Sequence, residues 1–69
     1  MKIMDIGEVS DESGLAPSAL RYYEELGLIE SVGRHGLRRQ FDSEVLVRLS
    51  LITLGKSAGF SLEEISAMI

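Results

Sequence analysis

Four of the five arginines set the chemistry open to this chain. Arg21 lies in the run Leu20-Arg21-Tyr22-Tyr23-Glu24-Glu25-Leu26-Gly27-Leu28-Ile29, and the other three crowd into Arg34-His35-Gly36-Leu37-Arg38-Arg39, a stretch with no acid in it. A guanidinium presents a planar fork of donors that matches two acceptors at once: the oxygens of a carboxylate or phosphate, or the O6 and N7 edge of guanine. Tyr22 adds a hydroxyl donor beside Arg21, and Ser18 stands about one helical turn earlier. Lys56 and Ser61 offer a further cation and a further hydroxyl. Catalytic arrangements are lacking. Glu24-Glu25 and Glu63-Glu64 are sequence neighbours rather than a converging acid–base pair, there is no glycine-rich phosphate loop, and one histidine with no cysteine makes neither a metal site nor a nucleophile–base pair. No cofactor and no enzymatic activity are expected.

The elements that would carry these residues are legible from caps and punctuation. Asp5 with Glu8 three residues on forms a capping-box start, so a first helix is expected from Ile6 to about Ser13, closed by Gly14. Pro17 suits a first helical position, and a second helix is expected from Pro17 to about Leu26 with Gly27 as its left-handed cap. At about 100° per residue Ala19, Leu20, Tyr23 and Leu26 share an inward face, while Ser18, Arg21, Tyr22 and Glu25 look outward. Leu28–Val32 reads as a strand, Gly33–Gly36 as a turn and Leu37–Phe41 as a returning strand, a two-stranded hairpin. Asp42 should cap a third helix from Ser43 to about Ala58, ended by Gly59. Ser61 with Glu64 repeats the capping box and opens a fourth helix still running at Ile69, a chain end that reads as a fragment boundary.

The third helix is apolar on two sides. Leu46, Leu49, Ile52 and Thr53 form an inward stripe, and Val47, Leu51, Leu54 and Ala58 form a second. A domain of 69 residues has difficulty burying both, so Val47, Leu51 and Leu54 are candidates for a partner interface. Gly55 within this helix costs about 1 kcal/mol relative to alanine, which implies close packing there. The chain is short for more than one domain, and no apolar run approaches the roughly 18 residues of a membrane span. No signal-peptide core is present, so a cytosolic location, with no membrane partner, is expected. The net charge of −4 argues against a generic polyanion binder, yet Asp5, Glu8, Asp11 and Glu12 gather near the N-terminus, leaving the basic segment locally uncompensated. A DNA-binding surface needs a basic patch, not a basic whole.

The ordered set of motifs resembles the N-terminal DNA-binding domain of the MerR family of bacterial transcription regulators, over essentially the whole chain. The matching segments are Ile6-Gly7-Glu8-Val9, Gly14-Leu15, Leu20-Arg21-Tyr22-Tyr23-Glu24, Gly27-Leu28-Ile29, Arg39-Gln40-Phe41 and Gly59-Phe60-Ser61-Leu62-Glu63-Glu64-Ile65. Ser18-Ala19-Leu20, Arg38-Arg39 and Val45-Leu46 are similar to the SoxR-like branch. The resemblance implies a mostly α fold, a winged helix-turn-helix of four helices with a small two-stranded β-hairpin wing, whose second helix enters the major groove. It implies a homodimer formed through a coiled coil beyond the fourth helix, binding an inverted-repeat promoter operator. It further implies regulation by distorting promoter DNA, with RNA polymerase engaged indirectly, and a nucleoid-associated location. Ala16 departs from the Ser or Thr that usually caps the recognition helix, and Leu37-Arg38 replaces the frequent Gly-Tyr of the wing.

On this reading Ser18, Arg21 and Tyr22 hold the major groove, and Arg34, Arg38 and Arg39 clamp the flanking backbone, with Arg39 first among them. Arg38 and Arg39 must point to opposite faces of a strand. Each residue has a plainer alternative: Arg21 paired with Glu24 or Glu25, Tyr22 packed, Ser61 only a helix cap, Lys56 lying along its own helix. His35 at the tip reads as exposed. Two rivals remain, a protein-interaction module of the chaperone-modulator type and an excisionase-like factor that bends DNA. The whole reading requires the guanidinium groups to share one side and not to be buried against carboxylates.

Overall fold

Residues 2–69 are described by a computed structural model of the chain. A short strand, β1 (Ile3–Asp5), leads directly into α1 (Ile6–Ser13). Asp5 caps α1: its carboxylate accepts from the Glu8 amide while Glu8 accepts from the Asp5 amide, the reciprocal box expected from the sequence. Gly14, at φ 75°, ends the helix. After Leu15 and Ala16 comes α2 (Pro17–Glu25), with Pro17 at its start and no side-chain cap from Ala16. The Leu28 amide donates to Tyr23 O and the Gly27 amide to Glu24 O, with Gly27 at φ 76°. This is a Schellman motif, which only a residue tolerant of left-handed backbone completes without strain.

The hairpin follows as β2 (Gly33–His35) and β3 (Arg38–Asp42), antiparallel, with Arg34 opposite Arg39 and His35 opposite Arg38. Then come α3 (Val45–Ser57) and α4 (Leu62–Met68), the latter opened by the Ser61–Glu64 capping box. α1 and α2 joined by a short turn, a hairpin after them and two further helices make a winged helix-turn-helix. One contiguous core, including Val9, Leu20, Leu28, Phe41, Leu49, Ile52 and Ile65, is sealed from solvent. A Cβ on Gly55 would lie 2.8 Å from Ile65 Cγ1, so the glycine is what lets α4 approach α3.

The structure corrects several sequence expectations. Leu28–Val32 is not a strand. Leu28 and Ile29 are adjacent and both buried, which a pleated strand exposed on one face cannot achieve; they anchor a loop instead. The hairpin turn therefore moves to Gly36-Leu37, a two-residue loop in which Gly36 supplies a φ of 63°. The two-stranded hairpin wing is present as expected, but a third strand joins it, in the order β1-β3-β2, because Ile3–Asp5 pairs with Gln40–Asp42. Three residues carry too little periodicity to mark β1 in the sequence. Leu26 lies past the end of α2 and is exposed, and Thr53 is exposed as well. Asp42 does not cap α3 itself; its carboxylate accepts from the Glu44 amide, and the helix begins at Val45.

Candidate nucleic-acid interface

α2 separates its two tyrosines as amphipathic spacing requires. Tyr23 is buried among the core side chains, while Tyr22 is 51% exposed. Ser18 and Arg21 lie on the exposed side with it. Arg21 forms no ion pair among the described residues, so the alternative of pairing with Glu24 or Glu25 is not realised. Its five donors remain available on the helix that follows the turn. Lys56, near the end of α3, is exposed, and its Nζ donates to the Tyr23 hydroxyl at 3.4 Å, 5.9 Å from the ring centroid. The ammonium thus marks where the edge of Tyr23 reaches the surface. Ser61 acts as a helix cap: its hydroxyl accepts from the Glu64 amide, and its own amide donates to Glu64.

The wing arginines divide into two kinds. Arg34 is exposed, as is His35 at the approach to the turn. Arg38 bonds Asp5 Oδ1 at 3.2 Å, yet its side chain stays 59% exposed. It passes over Gly7, where a Cβ would stand 2.3 Å from the guanidinium. Arg39 points the other way, as strand alternation requires, and its Nε donates to Glu24 Oε1 at 2.5 Å with the pair about four-fifths covered. The sequence reading put Arg39 first among the backbone contacts and required the guanidinium groups to be clear of carboxylates. That requirement is met by Arg21 and Arg34, only loosely engaged at Arg38, and not met by Arg39.

Sequence reasoning passed over the partners that hold these cations. Glu24 and Arg39 are far apart in the chain, and no local spacing announces their meeting. Arg48 was also missed: its Nε donates to Leu28 O and pins the loop that links α2 to the hairpin. A buried loop carbonyl is visible only once the loop is known to be buried.

Three carboxyls are held below their ordinary range. For Asp5 the first cause is the Glu8 amide, followed by the Arg38 guanidinium. Burial alone would push the Glu24 carboxyl up, but hydrogen bonds from Ser31 and Arg39 together outweigh it and bring it down. The Ser61 amide, then its hydroxyl, lower Glu64. Carboxyls that release protons more readily when folded stabilise the fold above the unfolded-state values, and that stabilisation is lost as pH falls through the lowered folded values. The melting temperature is therefore expected to hold from about pH 7 to about pH 5 and to fall progressively below about pH 4. Thermal melts followed by circular dichroism check this, and a melting temperature that rose on acidification would contradict it.

Residues 4–69 match the family described as MerR HTH family regulatory protein. An HTH-type transcriptional activator SoxR homolog of Chromobacterium violaceum is 41% identical over 64 residues, which are 93% of this chain and 43% of that protein. The HTH-type transcriptional regulator HmrR of Rhizobium leguminosarum bv. viciae is 36% identical over 61 residues, 88% of this chain and 47% of that protein. The crystal structure of HiNmlR, a MerR family regulator lacking the sensor domain, bound to promoter DNA, superimposes with a TM-score of 0.82 at 29% identity, covering 97% of this chain and 52% of that one. The chain spans about half the length, or somewhat less, of the relatives it matches. Identities of 41% and 36% to regulators of different names do not single out one branch. With nearly every residue inside the match and a winged helix-turn-helix carrying it, the chain belongs to the MerR HTH family of regulatory proteins.

Proposed function

We propose that this domain binds promoter DNA in a sequence-specific manner, with α2 in the major groove and the wing on the flanking backbone. The observation that carries this reading is the exposed Arg21–Tyr22 surface of the helix after the turn, free of acidic partners, followed by a hairpin that extends Arg34 and Arg38 into solvent. The similarity to HiNmlR, whose structure is described as bound to promoter DNA, supports it. Ser18 and Arg21 read base edges or adjacent phosphates, and Tyr22 donates its hydroxyl to the backbone. Arg34, Arg38 and Lys56 engage phosphates, Arg38 by exchanging Asp5 for a phosphate oxygen. Ser61 contributes its hydroxyl as a secondary contact.

In the intact regulator two such domains act as a homodimer on an inverted-repeat operator and alter promoter geometry, so that RNA polymerase is engaged indirectly. The site of action is then the cytoplasmic nucleoid. Selection from a random-sequence duplex pool, repeated across a salt titration, tests the reading. One inverted repeat should be enriched, and log affinity should fall with log salt by about 0.9 for each phosphate engaged. Recovery of no DNA at low salt by a verified dimer would transfer the function to protein contacts.

A second observation bears on partners. Val47, Leu51 and Leu54 are respectively 59%, 48% and 66% exposed along one face of α3. In our reading this face receives a helix of the partner subunit; the protein-interaction rival uses the same face for another protein. Leu51→Asp should leave the folding of the domain within about 0.5 kcal/mol of the parent, as surface substitutions do, and weaken self-association of the intact protein. Sedimentation and thermal melts read the two effects separately, and a collapse of the melt would return Leu51 to the core.

A further inference from the structure

α2 packs on α1, and the sheet also packs on α1, but α2 and the hairpin share little direct packing. Among the described residues, the side-chain hydrogen bond that joins them is accepted by Glu24. Its Oε1 accepts from Arg39 Nε on the central strand, and its Oε2 accepts from the Ser31 amide at 3.3 Å in the loop between α2 and the hairpin. Both charged side chains are about four-fifths covered, where a pair is screened far less than at the surface. Arg38, the next residue, points the opposite way to the N-cap of α1. Adjacent arginines on β3 thus reach the two helices of the helix-turn-helix separately.

We infer that Glu24 and Arg39 form a strut that fixes the angle between α2 and the wing, so that Arg39 is a positioning residue and not a phosphate ligand. This rests on the DNA-binding reading above. Two contact surfaces on one rigid body engage DNA together without a second ordering step, whereas a wing loose on its loop must be ordered at each binding event. The strut predicts an effect opposite in sign to simple electrostatics. Removing an acid from the neighbourhood of a polyanion should tighten binding, but removing this acid should loosen it.

The test is a double-mutant cycle of Glu24→Gln and Arg39→Gln in the intact protein, with two readouts. Affinity is measured on the selected duplex with and without the flanks that lie under the wing. Amide hydrogen exchange is measured without DNA, across residues 33–40 and at Leu49 and Ile52 in α3. Each single substitution should weaken binding to the long duplex by roughly tenfold, the scale of coupled neighbouring side chains, and the double substitution should do no more. Binding to the trimmed duplex should be unchanged, and exchange should quicken in the hairpin but not at Leu49 and Ile52. If Arg39→Gln weakens binding while Glu24→Gln leaves it unchanged or tightens it, Arg39 is a phosphate ligand and the strut is refuted. If core exchange quickens as much as hairpin exchange, the pair merely supports the fold, which also refutes it. A parent protein that binds no duplex at any salt would remove the DNA reading alone, because exchange in the free protein still decides whether the pair holds the wing.

Discussion

Phe41→Ala should destabilise the domain severely. Phe41 is fully buried on the central strand, opposite Met4 of β1, and is among the largest side chains sealed into the core. Truncating a buried phenylalanine costs about 3–5 kcal/mol, from lost transfer free energy and from the cavity left behind. Single domains of this size are stabilised by roughly 3–10 kcal/mol in total, so the loss takes a large share of what there is. There is no disulfide to limit the damage. Far-ultraviolet circular dichroism should show the melting midpoint lowered by roughly 12–40 °C, since about 1 kcal/mol shifts a domain of this size by some 4–8 °C. A midpoint within a few degrees of the parent would mean that the three-stranded sheet does not close over this side chain.

Arg21→Ala should have the opposite profile, a large effect on DNA and almost none on folding. Arg21 is exposed, makes no ion pair among the described residues, and lies within a helix in which alanine is the best former. Its melting midpoint should therefore match the parent. If the guanidinium grips a guanine edge bidentately, its removal costs about 1–3 kcal/mol, roughly fivefold to more than a hundredfold in affinity, and relaxes preference at one base pair. A phosphate contact would instead weaken all sequences alike and lower the salt slope by about one. Fluorescence anisotropy on the selected duplex and on single-base variants separates the two, and an affinity equal to the parent's would exclude Arg21 from the interface. Arg21→Lys refines the result, because an ammonium retains the charge but not the fork.

The parts of this fold that local chemistry dictates were readable in the sequence. Both capping boxes are where the Asp5–Glu8 and Ser61–Glu64 spacings put them. Gly14, Gly27 and Gly59 take up left-handed backbone at helix ends, and the Tyr22–Tyr23 pair splits between surface and core as helical spacing requires. Gly55 marks a close approach, as its cost within a helix implied. What escaped is what depends on partners distant in the chain. β1 is a strand only because β3 is there to pair with it, and Leu28-Ile29 is a buried loop only because helices close over it. The same limit applies to the candidate interface. Arg21, Tyr22 and Arg34 are exposed as their positions suggested, but the pairing of Arg39 with Glu24 arises from the tertiary fold and leaves no trace in spacing. A charge run in a sequence gives the number of cations, not how many remain available.

The sheet's order places the beginning of the chain beside the strand that supports the wing. Ile3–Asp5 supplies one neighbour of β3, the cap of α1 and the carboxylate that Arg38 grips. Deleting residues 3–5 would remove all three supports at once, disarming the far end of the domain from a position more than thirty residues away in the chain.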